Sequence, residues 1–438
     1  MATVRMTEGS IVRHLVEYSI PLIAGNLFQL TYNAVDSIIV GKFIGKETLA
    51  AVGTASPVMN MIILGISGIC IGASVLMSKY FGAGEEDMVK KEMATTAMFG
   101  LFFSLVIVAL GVLFSETLLQ ILSVPEEIVG IASTYLRIVF IGAPFTFFYN
   151  AIASALKSVG DSKTPLKFLA FASVLNGALD CVLIGIFHFG IVCSAVTTVI
   201  AQAVSAVLCI WYVYRNIPVL RLKPGEFVID SMLLRETLRY GSVTALQQSC
   251  QPIGKLLIQG AVNTMGIDVM AAFNAVNRID DYAFTPEQSI ANGITTFVAQ
   301  NRGAGQEERI RKGFARGMVL EFCYWILICL FVTLFKEPIM RLFVTKETTG
   351  VVEEGCRYLR LMALFYLFPA FTNGVQGFFR GMGNMNITLL CTFIQTSLRV
   401  IFVYALTPVM GIQGVAYACA IGWSAMLLVE VPYYFISV

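Results

Sequence analysis

The sequence contains few charged residues. Lys, Arg, Asp and Glu make up 13% of its 438 residues, whereas about 25% is usual in soluble domains. Hydrophobic residues make up 57% of the chain, and its mean hydropathy is +0.77. So little charge cannot cover the surface of a soluble domain, and we therefore expect an integral membrane protein.

Several features that enzymes and nucleic-acid-binding proteins use are also scarce. The net charge of +2 leaves no basic surface for nucleic acid. The two histidines, His14 and His188, lie far apart, and the ten cysteines show neither a CxxC motif nor a metal-ligand spacing. The chain has no HExxH motif and no Ser/His/Asp set typical of an enzyme. We expect no nucleic-acid partner, no enzymatic activity and no cofactor.

Long uncharged stretches fill much of the chain instead. Each of four stretches is longer than the roughly 20 residues that cross a bilayer: 49–77, 94–114, 181–214 and 400–429. Together with the Gly and Pro positions, they predict about twelve helical spans, two of which are 127–157 and 352–379. The sequence therefore predicts an all-α integral membrane protein with twelve transmembrane helices.

The two halves of the chain resemble each other. The segment "GAGEED" from Gly82 recurs as "GAGQEE" from Gly303, displaced by 221 residues. The segment "YLR" from Tyr135 recurs at Tyr358, displaced by 223 residues. Matches in the same order at nearly one displacement indicate a duplication. The twelve helices are therefore predicted to form two pseudo-symmetric six-helix bundles.

The duplication also predicts the domains and the orientation of the chain. Residues 1–214 would form an N-terminal lobe, 215–235 a cytoplasmic linker and 236–438 a C-terminal lobe. With the N-terminus inside, 19 of the 30 Lys and Arg residues lie on the cytoplasmic side, 8 lie outside and 3 lie within helices. Since cytoplasmic loops carry an excess of basic residues, both termini are predicted to be cytoplasmic.

Polar side chains remain inside the first predicted helix. Gln29, Asn33 and Asp36 share one of its faces, which must contact protein or water because lipid offers no hydrogen-bond partner. A carboxylate near the bilayer centre costs roughly 2.5 to 3.5 kcal/mol on translocon scales and usually marks a functional site. Pro21 removes a backbone hydrogen bond in the same helix and is predicted to act as its hinge.

A second polar set lies in the same half. Asn176 and Asp180 are four residues apart in the fifth helix, and Asn150 and Thr198 add neutral oxygen atoms from the fourth and sixth helices. Two carboxylates facing one cavity repel each other, so Asp36 or Asp180 should bind a proton or a cation readily near neutral pH. The sequence thus predicts an ion-coupling site, with a purely structural role in helix packing as the alternative.

The second half carries a different polar set. Gln251 and Lys255 belong to a run of polar residues at every fourth position of the seventh helix, and Asp281 lies on a polar face of the eighth. Lys255 could pair with Asp280, Asp281 or Glu287. Lys255 could form a structural ion pair or take part in substrate binding or gating, and the sequence leaves both alternatives open.

Three segments resemble one transporter family: "SIPLIAGNLFQLTYNAVDSIIVGKFIG", "LKSVGDSKTPLK" and "FVAQNRGAG". They are similar to the multidrug and toxic compound extrusion (MATE) transporters over nearly the whole chain. The resemblance implies two six-helix lobes around a central cleft that opens alternately to the two sides. It also implies export of amphipathic, often cationic drug-like compounds in exchange for protons or Na⁺, by a monomer surrounded by lipid in the plasma membrane.

The resemblance also assigns residues. Asp36 matches the acidic residue of the family's first helix, and Pro21 matches its kink. The pattern of the N-lobe cation site in DinF-like members is matched by Asn150, Asn176, Asp180 and Thr198. It implies that Asp36, Asn176 and Asp180 could hold Na⁺.

The second half departs from the NorM-like branch, which has an acidic residue near the position of Lys255. Coupling is therefore expected in the N-terminal lobe. The residues expected to contribute to the substrate cleft are Gln29, Asn33, Gln251, Lys255 and Asp281. The nearest alternative function is a lipid or lipid-linked oligosaccharide flippase of the same superfamily. A flippase should favour basic cavity residues for phosphate, whereas this chain offers two intramembrane Asp residues.

Overall fold

The protein is described here by a computed structural model. The described backbone comprises residues 3–43, 46–121, 124, 126–187, 189–190, 192–343 and 349–437. Side chains are described within these ranges except at 36–43, 46–52, 54, 343, 349 and 437. The described part of the chain is almost entirely helical and contains no β-strand, which confirms the predicted all-α class.

The described residues form fourteen α-helices. In the first half these are α1 (Ile11–Phe43), α2 (Lys46–Ala83), α3 (Glu86–Ile121), α4 (Glu126–Ile141), α5 (Ala143–Ser158), α6 (Lys163–Asp180) and α7 (Val192–Asn216). A π-helical turn (Cys181–Ile186) follows α6, and a 3₁₀ turn (Pro218–Leu220) follows α7. In the second half they are α8 (Ser231–Asn263), α9 (Ile267–Gly303), α10 (Glu307–Phe343), α11 (Thr349–Phe365), α12 (Leu367–Gly381), α13 (Met385–Met410) and α14 (Ile412–Ser437).

Two pairs of the described helices are each separated by a single residue, and if each pair is counted as one broken span, the fourteen helices make twelve. The helices α4 and α5 meet at Gly142 with a bend of 42°, and α11 and α12 meet at Tyr366. Pro144 and Pro369 follow these breaks by two and three residues. Because proline has no N–H, each removes a hydrogen bond across the break. The predicted spans 127–157 and 352–379 are therefore present, each as two helices.

Polar content separates the crossing helices into two groups. Seven described helices are long and apolar enough to span a membrane by length and composition, and the bent pair of α4 and α5 adds an eighth. The pair of α11 and α12 falls outside this group, and so do the helices α1, α8 and α9. These three helices carry Asp36, Lys255 and Asp281 respectively, so the polar faces predicted from the sequence lower their hydropathy.

The chain divides into two compact units. Unit 1 consists of Met1–Arg5 and Ala24–Ala245, and unit 2 consists of Met6–Ile23 and Leu246–Val438. The first part of α1 thus belongs to unit 2, whereas the first part of α8 belongs to unit 1. These compact units are a different division of the chain from the predicted lobes 1–214 and 236–438, which remain a prediction.

Each unit has its own apolar core. In unit 1, buried side chains of α2, α3, α5 and α7 pack together, among them Met77, Phe81 and Leu156. In unit 2, a larger core joins α8 to α14 and includes Phe273 and Tyr358. Both cores contain many small residues, which let helices approach closely where lipid provides no hydrophobic driving force between them.

Two loops in the first half of the chain have the same backbone conformation as the corresponding loops in the second half. Gly84 and Gly305 have φ of 78° and 68°, and Gly160 and Gly383 have φ of 90° and 78°. Each glycine ends a helix with a hydrogen bond from the next N–H to the carbonyl five residues earlier, as in a Schellman motif. These bonds join Glu85 to Tyr80, Gln306 to Asn301, Asp161 to Leu156 and Asn384 to Phe379, at 2.8 to 2.9 Å. The equivalent turns support the duplication predicted from the sequence.

Candidate functional site

Asp180 is the last residue of α6 and is completely buried in unit 1. The hydroxyl of Thr197 on α7 donates a hydrogen bond to its Oδ1 across 2.5 Å, and Thr197 is also completely buried. Hydrogen bonds to a carboxylate are shorter and stronger than those between neutral groups. Thr197 therefore holds the Asp180 carboxylate in a defined position between α6 and α7.

The helix type changes directly after Asp180. The next six residues, Cys181–Ile186, form a π-helical turn. Such turns are wider than an α-helix and are frequent at functional sites. The backbone is therefore irregular at the point where α6 presents its carboxylate.

Asn176 connects α6 to α1. The hydroxyl of Tyr32 donates to its Oδ1, and Gly177 leaves space for the ring, since a Cβ there would lie 3.4 Å from Cε2 of Tyr32. Asn176 is only 6% exposed. Its Nδ2 has no hydrogen-bond partner among the residues that the structure describes. A buried amide donor is thus available on the same face of α6 as Asp180.

Asp36 lies four residues after Tyr32 in α1, and its side chain falls outside the described residues. Residues four apart share one face of an α-helix, so the backbone position of Asp36 is on the face from which Tyr32 reaches Asn176. Of the other polar residues predicted on α1, Gln29 is partly buried and Asn33 is exposed.

Asn150 and Thr198 are partly buried and donate to their own helices. Asn150 Nδ2 donates to the carbonyl of Thr146 at 2.8 Å, and the Thr198 hydroxyl donates to the carbonyl of Ser194 at 2.8 Å. The threonine that reaches Asp180 is Thr197, which the sequence analysis missed. Successive helical residues point about 100° apart, so the rotation of α7 against α6 decides which of the two threonines faces the carboxylate.

In unit 2 the predicted residue Lys255 pairs with Asp281. Nζ of Lys255 lies 2.9 Å from Oδ1 of Asp281, and the two side chains are 42% and 46% exposed. Ion pairs this accessible contribute about 0 to 1 kcal/mol to stability. The neighbouring Asp280 is buried and accepts a hydrogen bond from the hydroxyl of Tyr366 at 2.6 Å. Of the three partners open to Lys255, the structure thus selects Asp281.

Amide side chains join α8 to α12 and α13 inside unit 2. Gln251 Nε2 donates to Oε1 of Gln395 at 3.0 Å. One turn earlier, Gln247 Nε2 donates to Oε1 of Gln376 at 2.7 Å, and Gln376 in turn donates to Thr392 at 3.0 Å. The sequence analysis did not predict these partners. The regular spacing of Gln residues on α8 was the available signal, since polar side chains often join membrane helices.

Pro21 lies within α1, two residues before the point at which this helix passes from unit 2 to unit 1. Proline removes one hydrogen bond of the helix backbone and leaves the carbonyl four residues earlier without its usual donor. The predicted hinge is therefore located next to the junction of the two units along the chain.

Comparison with known proteins agrees with the duplication. The MatE family model matches the chain twice, at residues 21–182 and 244–405. The second match begins 223 residues after the first, at the displacement read from the sequence repeats. Together the two matches cover most of the chain.

Individual relatives match over similar lengths. The chain is 30% identical to the probable multidrug resistance protein YpnP of Bacillus subtilis, covering 89% of this chain and 86% of the relative. It is 28% identical to the probable multidrug resistance protein YoeA of the same organism, covering 80% and 77%. A solved outward-facing structure of a multidrug resistance MATE family transporter of the MOP superfamily has the same fold, with a TM-score of 0.93, 23% identity and coverage of 99% and 97%. The chain therefore belongs to the MatE family of membrane transporters.

Proposed function

We propose that this protein is a secondary active exporter, which moves amphipathic, often cationic organic compounds out of the cell in exchange for inward-moving protons or Na⁺. The names of YpnP and YoeA as probable multidrug resistance proteins support this substrate class. Location in the plasma membrane, cytoplasmic termini and a single chain as the working unit belong to the same proposal.

The observation that carries the proposal is the hydrogen bond from Tyr32 to Asn176 in unit 1. It brings the face of α1 that includes Asp36 to the face of α6 that includes Asp180. Asn176 contributes a buried donor without a partner among the described residues. A carboxylate arriving from α1 would supply the acceptor that this donor lacks. The arrangement favours a site in which two carboxylates share one exchangeable ion.

The chemistry of exchange follows from the burial of Asp180. Two carboxylates in a low-dielectric site repel each other strongly, and a bound proton or Na⁺ removes that repulsion. Asn150, Asn176 and Thr198 would supply neutral oxygen atoms, whereas Thr197 positions Asp180. Ion binding and release then stabilise different packings of α1, with Pro21 as its hinge. A ligand can shift such an equilibrium only if it binds one packing more tightly than the other.

Transport in liposomes tests the proposal. Ethidium flux would be followed under an imposed pH gradient or an imposed Na⁺ gradient, with the wild type and with Asp36→Asn and Asp180→Asn. We expect one gradient to drive flux in the wild type. Both variants should lose that dependence, because each removes a charge that the ion neutralises.

The matched control is Asp87→Asn, which makes the same change at an exposed position in the first turn of α3. It should retain gradient-driven flux. Ethidium flux that does not depend on either gradient, or gradient-driven flux that persists in both site variants, would show that the two carboxylates are structural. A folded protein that translocates lipid-linked sugars but never ethidium would favour the flippase alternative.

A further inference from the structure

Two of the buried carboxyl groups of unit 2 have neither a hydrogen-bond partner nor a nearby cation among the described residues. Glu287 on α9 and Glu321 on α10 are both 0% exposed. None of their four carboxyl oxygen atoms has a hydrogen-bond partner among the described residues. Buried polar groups in native proteins are almost always hydrogen-bonded, and a buried unpaired carboxylate is more costly still. Four such oxygen atoms in one place therefore require an explanation.

The two side chains belong to one site. Glu321 interacts electrostatically with Glu287, and Tyr324, one turn after Glu321, interacts with both. The hydroxyl of Tyr324 does not donate a hydrogen bond to either glutamate, because it donates to the carbonyl of Ala283 at 2.9 Å. No basic side chain among the described residues interacts with either glutamate. Both carboxyl groups thus lack a counterion in the part of the chain that the structure describes.

A third helix encloses the pair. Asn373 on α12 approaches Glu287 without the geometry of a hydrogen bond. The next residue, Gly374, packs against α10, and a Cβ there would lie 3.5 Å from Cγ of Glu321 and 2.6 Å from Sδ of Met318. The absence of a side chain at this position lets α12 close over the two glutamates.

Acidic groups extend along α9 from the pair toward a half-exposed part of unit 2, and the first of them, Asp280, also interacts with the cationic Lys255 and Arg399. Asp280 lies two helical turns before Glu287 on the same face of α9, and it interacts electrostatically with Glu287. Tyr366, at the break between α11 and α12, donates to Asp280 and also interacts with Glu287. Next to Asp280 is Asp281, which is about half exposed in its ion pair with Lys255.

We propose that Glu287 and Glu321 form a proton-binding site that holds a single exchangeable proton, separate from the polar set of unit 1 and reached through Asp280. Two adjacent carboxylates cannot both be charged in a low-dielectric site without a counterion, so they titrate as a coupled pair. Protonation of one carboxyl group removes the charge repulsion between the two, so a single proton changes the state of the pair. A metal cation would need further oxygen ligands, and no group of three or more His, Cys, Asp or Glu side chains that could hold one is found among the described residues.

The titration can be followed without any transported compound. Infrared difference spectra of the purified protein in detergent would record the carbonyl stretch of protonated carboxyl groups, from mildly acidic to mildly alkaline pH. We expect a pH-dependent band in the wild type that Glu287→Gln and Glu321→Gln each abolish or shift. Asp280→Asn should slow the exchange of this band in deuterium oxide, because it interrupts the proposed route.

The control is Glu307→Gln, which makes the same chemical change at an exposed position in the first turn of α10 and should leave the band unchanged. Folding of each variant would be verified by thermal unfolding in the same detergent. A band that stays constant over the whole pH range would mean that the pair is permanently protonated and structural, and would overturn the inference. So would a band that survives both glutamate substitutions. Because no transport is measured, these outcomes are independent of the export proposal.

Discussion

At the scale of single residues, the position of the buried Asp180 carboxylate in unit 1 depends on one hydroxyl group of α7. Thr197 donates to Asp180 while Thr198, the next residue, donates to its own helix. Loss of the Thr197 hydroxyl group leaves the completely buried Asp180 carboxylate without this hydrogen-bond donor. Loss of the Thr198 hydroxyl group removes only a hydrogen bond to a carbonyl of its own helix, whose backbone is already hydrogen-bonded. The two neighbours therefore form a natural matched pair for mutation.

We predict that Thr197→Val destabilises the folded protein by about 1 to 3 kcal/mol, the usual cost when a buried acceptor loses its donor. It should also change the ion concentration at which gradient-driven ethidium transport is half-maximal. Thr198→Val should have a clearly smaller effect on unfolding. Thermal unfolding in detergent and the liposome assay measure both quantities. Equal effects of the two substitutions would contradict the assignment of Thr197 as the residue that positions Asp180.

At the scale of helices, unit 1 contains a close crossing of α2 and α8. Gly68 and Gly72 on α2 face Gly241 on α8, and a Cβ on Gly72 would lie 2.7 Å from the backbone nitrogen of Gly241. The hydroxyl of Thr237, one turn before Gly241, donates to the buried Glu92 of α3 at 2.5 Å. The crossing therefore both packs two backbones and brings a donor to a buried carboxyl group.

We predict that Gly72→Ala destabilises the protein by roughly 1 to 3 kcal/mol, as expected for overpacking against backbone that cannot move aside. The control is Gly65→Ala on the same helix, where no heavy atom lies within 4 Å of the added Cβ. There, the better helix propensity of Ala should leave stability unchanged or raise it by less than about 1 kcal/mol. Temperature series monitored by size-exclusion chromatography would rank the two variants. A Gly72→Ala protein as stable as wild type would disprove the tight crossing.

At the scale of the whole molecule, the two duplicated six-helix halves bury different polar groups. The loops at Gly84 and Gly305 share their backbone conformation, and the MatE family model matches both halves. The polar interiors nevertheless differ. Unit 1 buries Asp180 with a hydroxyl donor, whereas unit 2 buries Glu287 and Glu321 with none among the described residues. The duplicated halves thus bury carboxyl groups in different surroundings.

We predict that both termini are cytoplasmic, from the excess of Lys and Arg in the loops on that side. A fluorescent protein fused after Val438 should fold and fluoresce, whereas alkaline phosphatase fused there should be inactive. The opposite pattern is expected when the chain is cut and fused after Gly190, between the predicted fifth and sixth helices. Active phosphatase at the C-terminal fusion would reverse the proposed orientation.

Much of the architecture was predictable because the membrane imposes strong constraints on sequence. Long uncharged runs predicted the crossings, and repeated segments predicted the duplication. The division of two spans into helix pairs was missed, although Pro144 and Pro369 gave a signal near each break. The site was predicted in part. Asp180 and Asn176 are buried on one face of α6, while Tyr32 and Thr197 were not identified as their partners.

The sequence by itself determined the class of the protein, the number of crossings and the presence of carboxyl groups within them, because hydropathy and helical periodicity are local properties of the chain. The tertiary structure alone decided the partners. Asp281 rather than Asp280 pairs with Lys255, and Glu287 meets Glu321 from another helix. Such choices depend on the rotation and depth of one helix against another. Those are set by packing over the whole unit and by no single segment.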